Sequence, residues 1–139
     1  KGTSQTMQRD PEYINLISEV MITLKRSIET AEACGVDPQK IIIDPGIGFG
    51  KTVEHNLELI RNIRKIKVLH KPVMVGCSRK NFIGKILGID NPRERLMGSA
   101  TAAVIAIING ADIVRVHDVR EMAQVVRFVD AAYPAFYKS

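Results

Sequence analysis

A chain of 139 residues with 45% hydrophobic and 25% charged content is long enough for one domain with a sizeable core. Its net charge of +5 favours an anionic partner, but aromatics at 5%, with no basic patch interleaved among them, leave nucleic-acid binding without support. No apolar run is long enough for a membrane span and no signal peptide is visible, so a small anionic molecule is the better partner.

The periodicity predicts a first helix over 12–34, with Ile14, Ile17, Met21, Leu24, Ile28 and Ala31 on one apolar stripe closed by Gly35. A loop holding Asp37-Pro38 leads to a strand at 40–44, whose Ile41-Ile42-Ile43 reads as buried. Leu57, Ile60 and Ile63 mark a helix at 53–66, and Val73-Met74-Val75 a second buried strand ending at Gly76-Cys77-Ser78-Arg79-Lys80. A short helix follows through about Gly88. Asn91-Pro92-Arg93-Glu94 then reads as an N-cap, a first-turn proline and a reciprocal capping glutamate for a helix running to Asn109-Gly110. The third strand is 112–116. Asp118 and Glu121 form the pattern of a capping box before a last helix with Val119, Met122, Val126 and Val129 on one face. Residues 134–139 read as a loose tail.

Short aliphatic strands alternating with helices argue for a parallel sheet covered on its outer face. Strand starts near 40, 72 and 112 are spaced much like the units of a (β/α)8 barrel, which average about 31 residues. The fold class is therefore α/β of the (β/α)8 TIM-barrel type. Three parallel strands with helices, and the helix of a fourth unit, read as one half of a barrel, a single domain over 1–139. The first residue is Lys1 rather than Met, the expectation being a processed or truncated start. Cys34 and Cys77 have no metal-ligand spacing, and a reduced, cytoplasmic location is the simplest account.

The unusual polar residues gather at the carboxyl ends of the strands, the face that carries chemistry in such barrels. Asp44 opens the loop Pro45-Gly46-Ile47-Gly48-Phe49-Gly50-Lys51-Thr52, whose glycines let a ligand approach the backbone. It is not a P-loop, because Pro45 stands where the first glycine belongs, and not a dinucleotide fingerprint, because Lys51 replaces the third glycine. Asp44 is either a ligand-binding acid or a buried capping acid. Lys80, at a helix start, opposes the helix dipole and calls for an anion or acid nearby. Arg115 and His117 alternate with Val114 and Val116, so both point to one side. A phosphate or pyrophosphate suits such a pair, the alternative being structural salt bridges to Asp112 or Asp118. His55 and His70 read as surface residues. Ser78 lacks the second glycine of a nucleophile elbow.

The stretches Asp44–Lys51, Gly76–Lys80, Arg95-Leu-Met-Gly-Ser99 and Arg115-Val-His-Asp118 together resemble the carboxyl-terminal half of the dihydropteroate synthase family of pterin-binding enzymes. Lys1–Gln8 is similar to that family's loop after the fifth barrel strand. The resemblance implies condensation of 6-hydroxymethyl-7,8-dihydropterin pyrophosphate with p-aminobenzoate, giving 7,8-dihydropteroate and pyrophosphate in folate synthesis. It implies that Asp44, Gly76, Lys80 and Arg115 bind the pterin. Phe49, Ser78 and Lys80 would line the p-aminobenzoate pocket, where sulfonamides act as mimics, and Arg115 and His117 would hold pyrophosphate. Asp44, Lys80, Arg115 and His117 form the implied catalytic set. Mg²⁺ is implied as cofactor with no ligand within this chain, since the family's metal-binding Asn would precede Lys1, and a homodimer is implied as the assembly. The half-barrel alone is expected to be impaired or inactive, with open sheet edges that invite association. Two other readings remain: the pterin-binding module of a folate-dependent methyltransferase, which Phe49 and Ser78-Arg79-Lys80 argue against, and a P-loop nucleotide hydrolase.

Overall fold

The structure, a computed structural model, describes residues 15–134. The expected Ile14, the Lys1–Gln8 loop and the tail beyond Pro134 lie outside the described residues. The elements are α1 (Leu16–Ala33), α2 (Val53–Arg61), α3 (Ile63–Ile66), β1 (Met74–Val75), α4 (Asn81–Leu87), α5 (Leu96–Ile108), β2 (Ile113–Val114) and α6 (Val119–Ala132).

Helix α1 starts where Asn15 accepts a hydrogen bond from the Ser18 amide, and it buries Leu16, Ile17, Val20 and Leu24 on one stripe. The helix expected over 53–66 is divided at Asn62, whose ψ of 18° breaks the α ladder between α2 and α3. Thr52 caps α2, with His55, expected as a surface residue, completing a reciprocal box.

The three expected strands are present in parallel but pair over short lengths. β1 lies in the middle, pairing with β2 in the register Met74↔Ile113 and Val75↔Val114, and with Ile43 through a single bridge, Ile43↔Val73. The strand expected at 40–44 is thus reduced to one bridged residue. Only Ile43 of its three isoleucines is buried, while Ile42 is 52% exposed, because alternation turns it to the opposite face.

That register sorts the sheet into two faces. Ile43, Val73 and Val75 face the helices and join the core with Leu59, Ile63, Ile66, Phe82, Ala102 and Ala106. Ile42, Met74 and Ile113 lie on the other face, with Ile42 and Ile113 exposed and Met74 partly so.

Two capping expectations are corrected. Asn91 caps only a short 3-10 turn, Pro92–Glu94, with its side chain accepting from the Arg93 amide; α5 starts separately at Leu96. The Asp118 carboxylate makes no cap bond to α6, because Arg79 takes both its oxygens. Val119 is 66% exposed, so the buried stripe of α6 rests on Met122 and Val129.

Candidate active site at the strand ends

Continuing each strand by alternation places Asp44, then Gly76 and Ser78, then Arg115 and His117 beyond the row Ile42, Met74 and Ile113, on the face away from the helices. The Arg115 amide still bonds the Val75 carbonyl at 3.0 Å, so the ladder holds to that point. The structure therefore brings the sequence-predicted residues of all three strand ends together.

The first loop is held largely by its own groups. Asp44 Oδ1 accepts from the Gly46 amide at 2.8 Å, which orients the carboxylate. Lys51 Nζ donates back to the carbonyls of Gly46 and Phe49, both at 2.9 Å. A P-loop lysine reaches outward to phosphates, so this use of Lys51 lends the nucleotide-hydrolase reading no support. Burial and the charge of Lys80 push the Lys51 ammonium below its usual range, with Asp44 opposing them.

Gly48 sits at φ +85°, and a Cβ there would stand 2.6 Å from Lys80 Cδ. Lys80 crosses the loop at this glycine, donates to the Ile47 carbonyl and lies 4.5 Å from the centroid of the Phe49 ring. Burial lowers the Lys80 proton affinity, the Asp44 and Cys77 side chains raise it, and Arg115 lowers it further. Asp44 is thus the carboxylate whose charge favours the Lys80 ammonium. Phe49 is half exposed, with its ring available to an aromatic ligand.

The second loop leans on its neighbours. Ser78 is buried, accepts from the His117 amide at 3.2 Å and lies 2.9 Å from His117 Nδ1. Gly76 is bare because Arg115 lies across it: a Cβ would come within 3.1 Å of Nη2. The salt-bridge alternatives for Arg115 and His117 are spent elsewhere, Asp112 on Lys67 at 2.6 Å and Asp118 on Arg79 at 2.7 Å. Burial pushes the Cys77 thiol up to about 12, which makes it a packing residue and no nucleophile.

Two residues of this site were given no role from the sequence: Asn56, which was not singled out, and Ser99, which stood only within the resemblance stretch Arg95–Ser99. Asn56 is 2% exposed; its Oδ1 accepts from the Gly48 amide at 2.6 Å and its Nδ2 donates to the Thr52 carbonyl at 2.8 Å. Ser99 is 1% exposed and accepts from the Arg79 amide at 2.9 Å. The available signal was position: Asn56 shares a helical stripe with Leu59, Ile60 and Ile63, and Ser99 shares one with Ala102, Ala103 and Ala106.

A carboxylate, a partly desolvated ammonium, a guanidinium and an imidazole thus converge beside an exposed aromatic ring. The carboxylate suits the donors of a heterocycle, and the cations suit an anion. Among the described residues no three His, Cys, Asp or Glu side chains converge to hold a metal ion.

Parallel strands with outer helices and polar groups at the strand ends define an α/β protein of the (β/α)8 barrel type. Residues 1–117 match the family described as pterin binding enzyme. The dihydropteroate synthase of Synechocystis is 47% identical over 133 residues, which cover 96% of this chain and 46% of that protein. The Yersinia pestis dihydropteroate synthase, solved as a sulfonamide drug complex, superposes with a TM-score of 0.92 at 36% identity, covering 95% of this chain and 48% of that one. The Thermus thermophilus dihydropteroate synthase, solved with 6HMPPP, superposes with a TM-score of 0.87 at 39% identity, covering 94% of this chain and 51% of that one. The same enzyme has been solved with 4-aminobenzoate. The chain belongs to the pterin-binding enzyme family, and it spans about half the length of the curated relatives it matches.

Proposed function

We propose that this chain supplies the carboxyl-terminal half of a dihydropteroate synthase barrel. The reaction joins 6-hydroxymethyl-7,8-dihydropterin pyrophosphate to p-aminobenzoate and releases pyrophosphate. The observation that carries this reading is the placement of Asp44, Gly76, Arg115 and His117 on one sheet face, with Lys80 held over Phe49 beside them. The ligands named for the Yersinia and Thermus relatives support the same substrates.

In this reading Asp44, oriented by Gly46, accepts from donors on the pterin ring, and the ring lies along Gly76 beside Lys80 and Arg115. The carbon–oxygen bond of the pterin methylene breaks with its electron pair leaving on pyrophosphate. Positive charge grows on the methylene, which Asp44 stabilises; negative charge grows on the leaving group, which Arg115 and His117 hold. The amine of p-aminobenzoate, packed on Phe49 and bordered by Ser78 and Lys80, then attacks the methylene and gives up a proton to solvent. Magnesium, when bound, would supply further charge to the leaving anion.

The reading extends to a cytoplasmic homodimer. An apolar groove of about 430 Å³ between α2, α4 and α5, with Met97 76% exposed at its rim, supports self-association through the outer helices. Sedimentation velocity gives the mass directly, and a monomer at high concentration removes this part.

Calorimetric titration with a pterin ligand tests the site. Binding to this chain that is lost in Asp44→Ala supports a pterin pocket formed by these loops. Binding that survives in Asp44→Ala, or binding in neither protein, overturns the claim that this chain carries that pocket.

A further inference from the structure

Two non-glycine residues among those described have positive φ, His70 and Arg79. His70 is exposed and ends a short turn; Arg79, at φ +59°, stands between Ser78 and Lys80. A left-handed conformation costs an arginine free energy and persists only where its surroundings hold it.

Those surroundings come from the start of α5. The Arg79 amide donates to Ser99 Oγ at 2.9 Å, and the Arg79 carbonyl accepts from Arg95 Nη1 at 2.8 Å, so both backbone groups of Arg79 are gripped. The Ser99 hydroxyl donates to the Arg95 carbonyl at 2.7 Å, which leaves its lone pair aimed at Arg79. Arg95 is 5% exposed, and three more of its donors are fixed on the carbonyls of Ile89 at 3.0 Å and Asp90 at 2.7 Å and on Asn81 Oδ1 at 3.3 Å. Gly84 leaves the space this guanidinium fills, since a Cβ there would lie 2.5 Å from Nε. Neither grip can slide without breaking several bonds to buried groups.

We infer that Arg95 and Ser99 are positioning residues for the substrate face: by holding Arg79 left-handed they set where Ser78 and Lys80 stand. The role in substrate binding rests on the synthase reading; the placement of Lys80 does not, and the two are tested apart.

The decisive readout is the position of Lys80 over Phe49, seen by NMR of ¹³C-labelled lysine as an upfield ring-current shift of its ε protons. Phe49→Leu identifies the signal by abolishing the shift. Ser99→Ala, with an unchanged far-ultraviolet spectrum, is expected to lose half or more of the shift, and Ser99→Thr, which keeps the hydroxyl, to recover it. An unmoved shift in folded Ser99→Ala overturns the inference. Should Ser99→Ala fail to fold, hydrogen exchange in the unmutated protein decides: an Arg79 amide slowed about a hundredfold or more supports the grip, and free exchange overturns it. A parallel titration with pterin pyrophosphate and p-aminobenzoate is expected to give about tenfold weaker binding in Ser99→Ala. A shift that collapses in a protein that never binds these ligands leaves the positioning intact and removes the claim that this chain by itself carries the substrate pocket.

Discussion

The loops after Ile43 and after β1 reach the same face of the sheet by opposite means. In the first, Gly46, Gly48 and Gly50 take φ of +74°, +85° and +56°, and the bonds of Asp44 and Lys51 close within the loop itself. In the second, the left-handed residue is an arginine and the grips come from Arg95, Ser99, His117 and Asp118, which lie 16 to 39 residues further on. A glycine loop carries its own conformation and needs little from the rest of the chain. A loop without such glycines has its shape imposed by tertiary contacts. The two should therefore break under different insults: the first under an added Cβ, the second under the loss of a remote side chain.

The largest effect falls on the second loop. Arg95→Ala removes a buried guanidinium and strands the partly buried carbonyls of Arg79, Ile89 and Asp90, and a loss of about 3 kcal/mol in urea unfolding is expected. Next comes Asn56→Ala, which removes the acceptor of the Gly48 amide at the cost of about 1–3 kcal/mol. Hydrogen exchange separates them, with protection falling at 79–81 in the first variant and at 48 in the second. If Asn56→Ala costs as much as Arg95→Ala, the glycine loop is not self-sufficient and the contrast fails.

The same contrast accounts for what the sequence disclosed. The strand ends, the odd loop after Asp44 and part of the α1 stripe (Ile17 and Leu24) follow from local spacing and stand in the structure. Asp118 did not follow, because a capping-box pattern and a salt-bridge acceptor look alike in sequence, and only folding brings Arg79 within 2.7 Å. Asn91 misled for a related reason: its cap is real, but Arg95 turns the chain between the 3-10 turn and α5 and so separates them. Ile42 looked as buried as Ile43 because three aliphatics in a row do not reveal which side is covered. The roles of Ser99 and Asn56 depend on partners 20 and 8 residues away, beyond the reach of any local pattern.

Gly48→Ala sharpens the first half of the comparison. An alanine at φ +85° costs about 1–2 kcal/mol, and its Cβ would meet Lys80 Cδ at 2.6 Å. Lys80 must then leave the Phe49 ring while the grip on Arg79 stays whole. The expected result is a modest fall in stability with loss of the Lys80 ring-current shift and normal protection of the Arg79 amide. A shift that persists would show that Lys80 is held from the second loop alone, and that the glycine serves only the turn.

The smallest effect is a pH dependence at the outer edge of the second loop. The hydrogen bonds from Arg79 hold the Asp118 carboxyl below its ordinary value of 3.8. Between the depressed folded value and 3.8 the unfolded chain binds more protons, so stability there rises with pH. The contribution of Asp118 is complete above 3.8 and is lost as pH falls through the folded value. Against Asp118→Asn, the unmutated protein should be the more stable near neutrality, with the gap closing on acidification below pH 4 and narrowing in high salt. A gap that does not change with pH would mean that the pair is held by packing of the Arg79 side chain rather than by charge. In that case the conformation of Arg79 would depend on the buried grips of Arg95 and Ser99 alone, with no help from the surface.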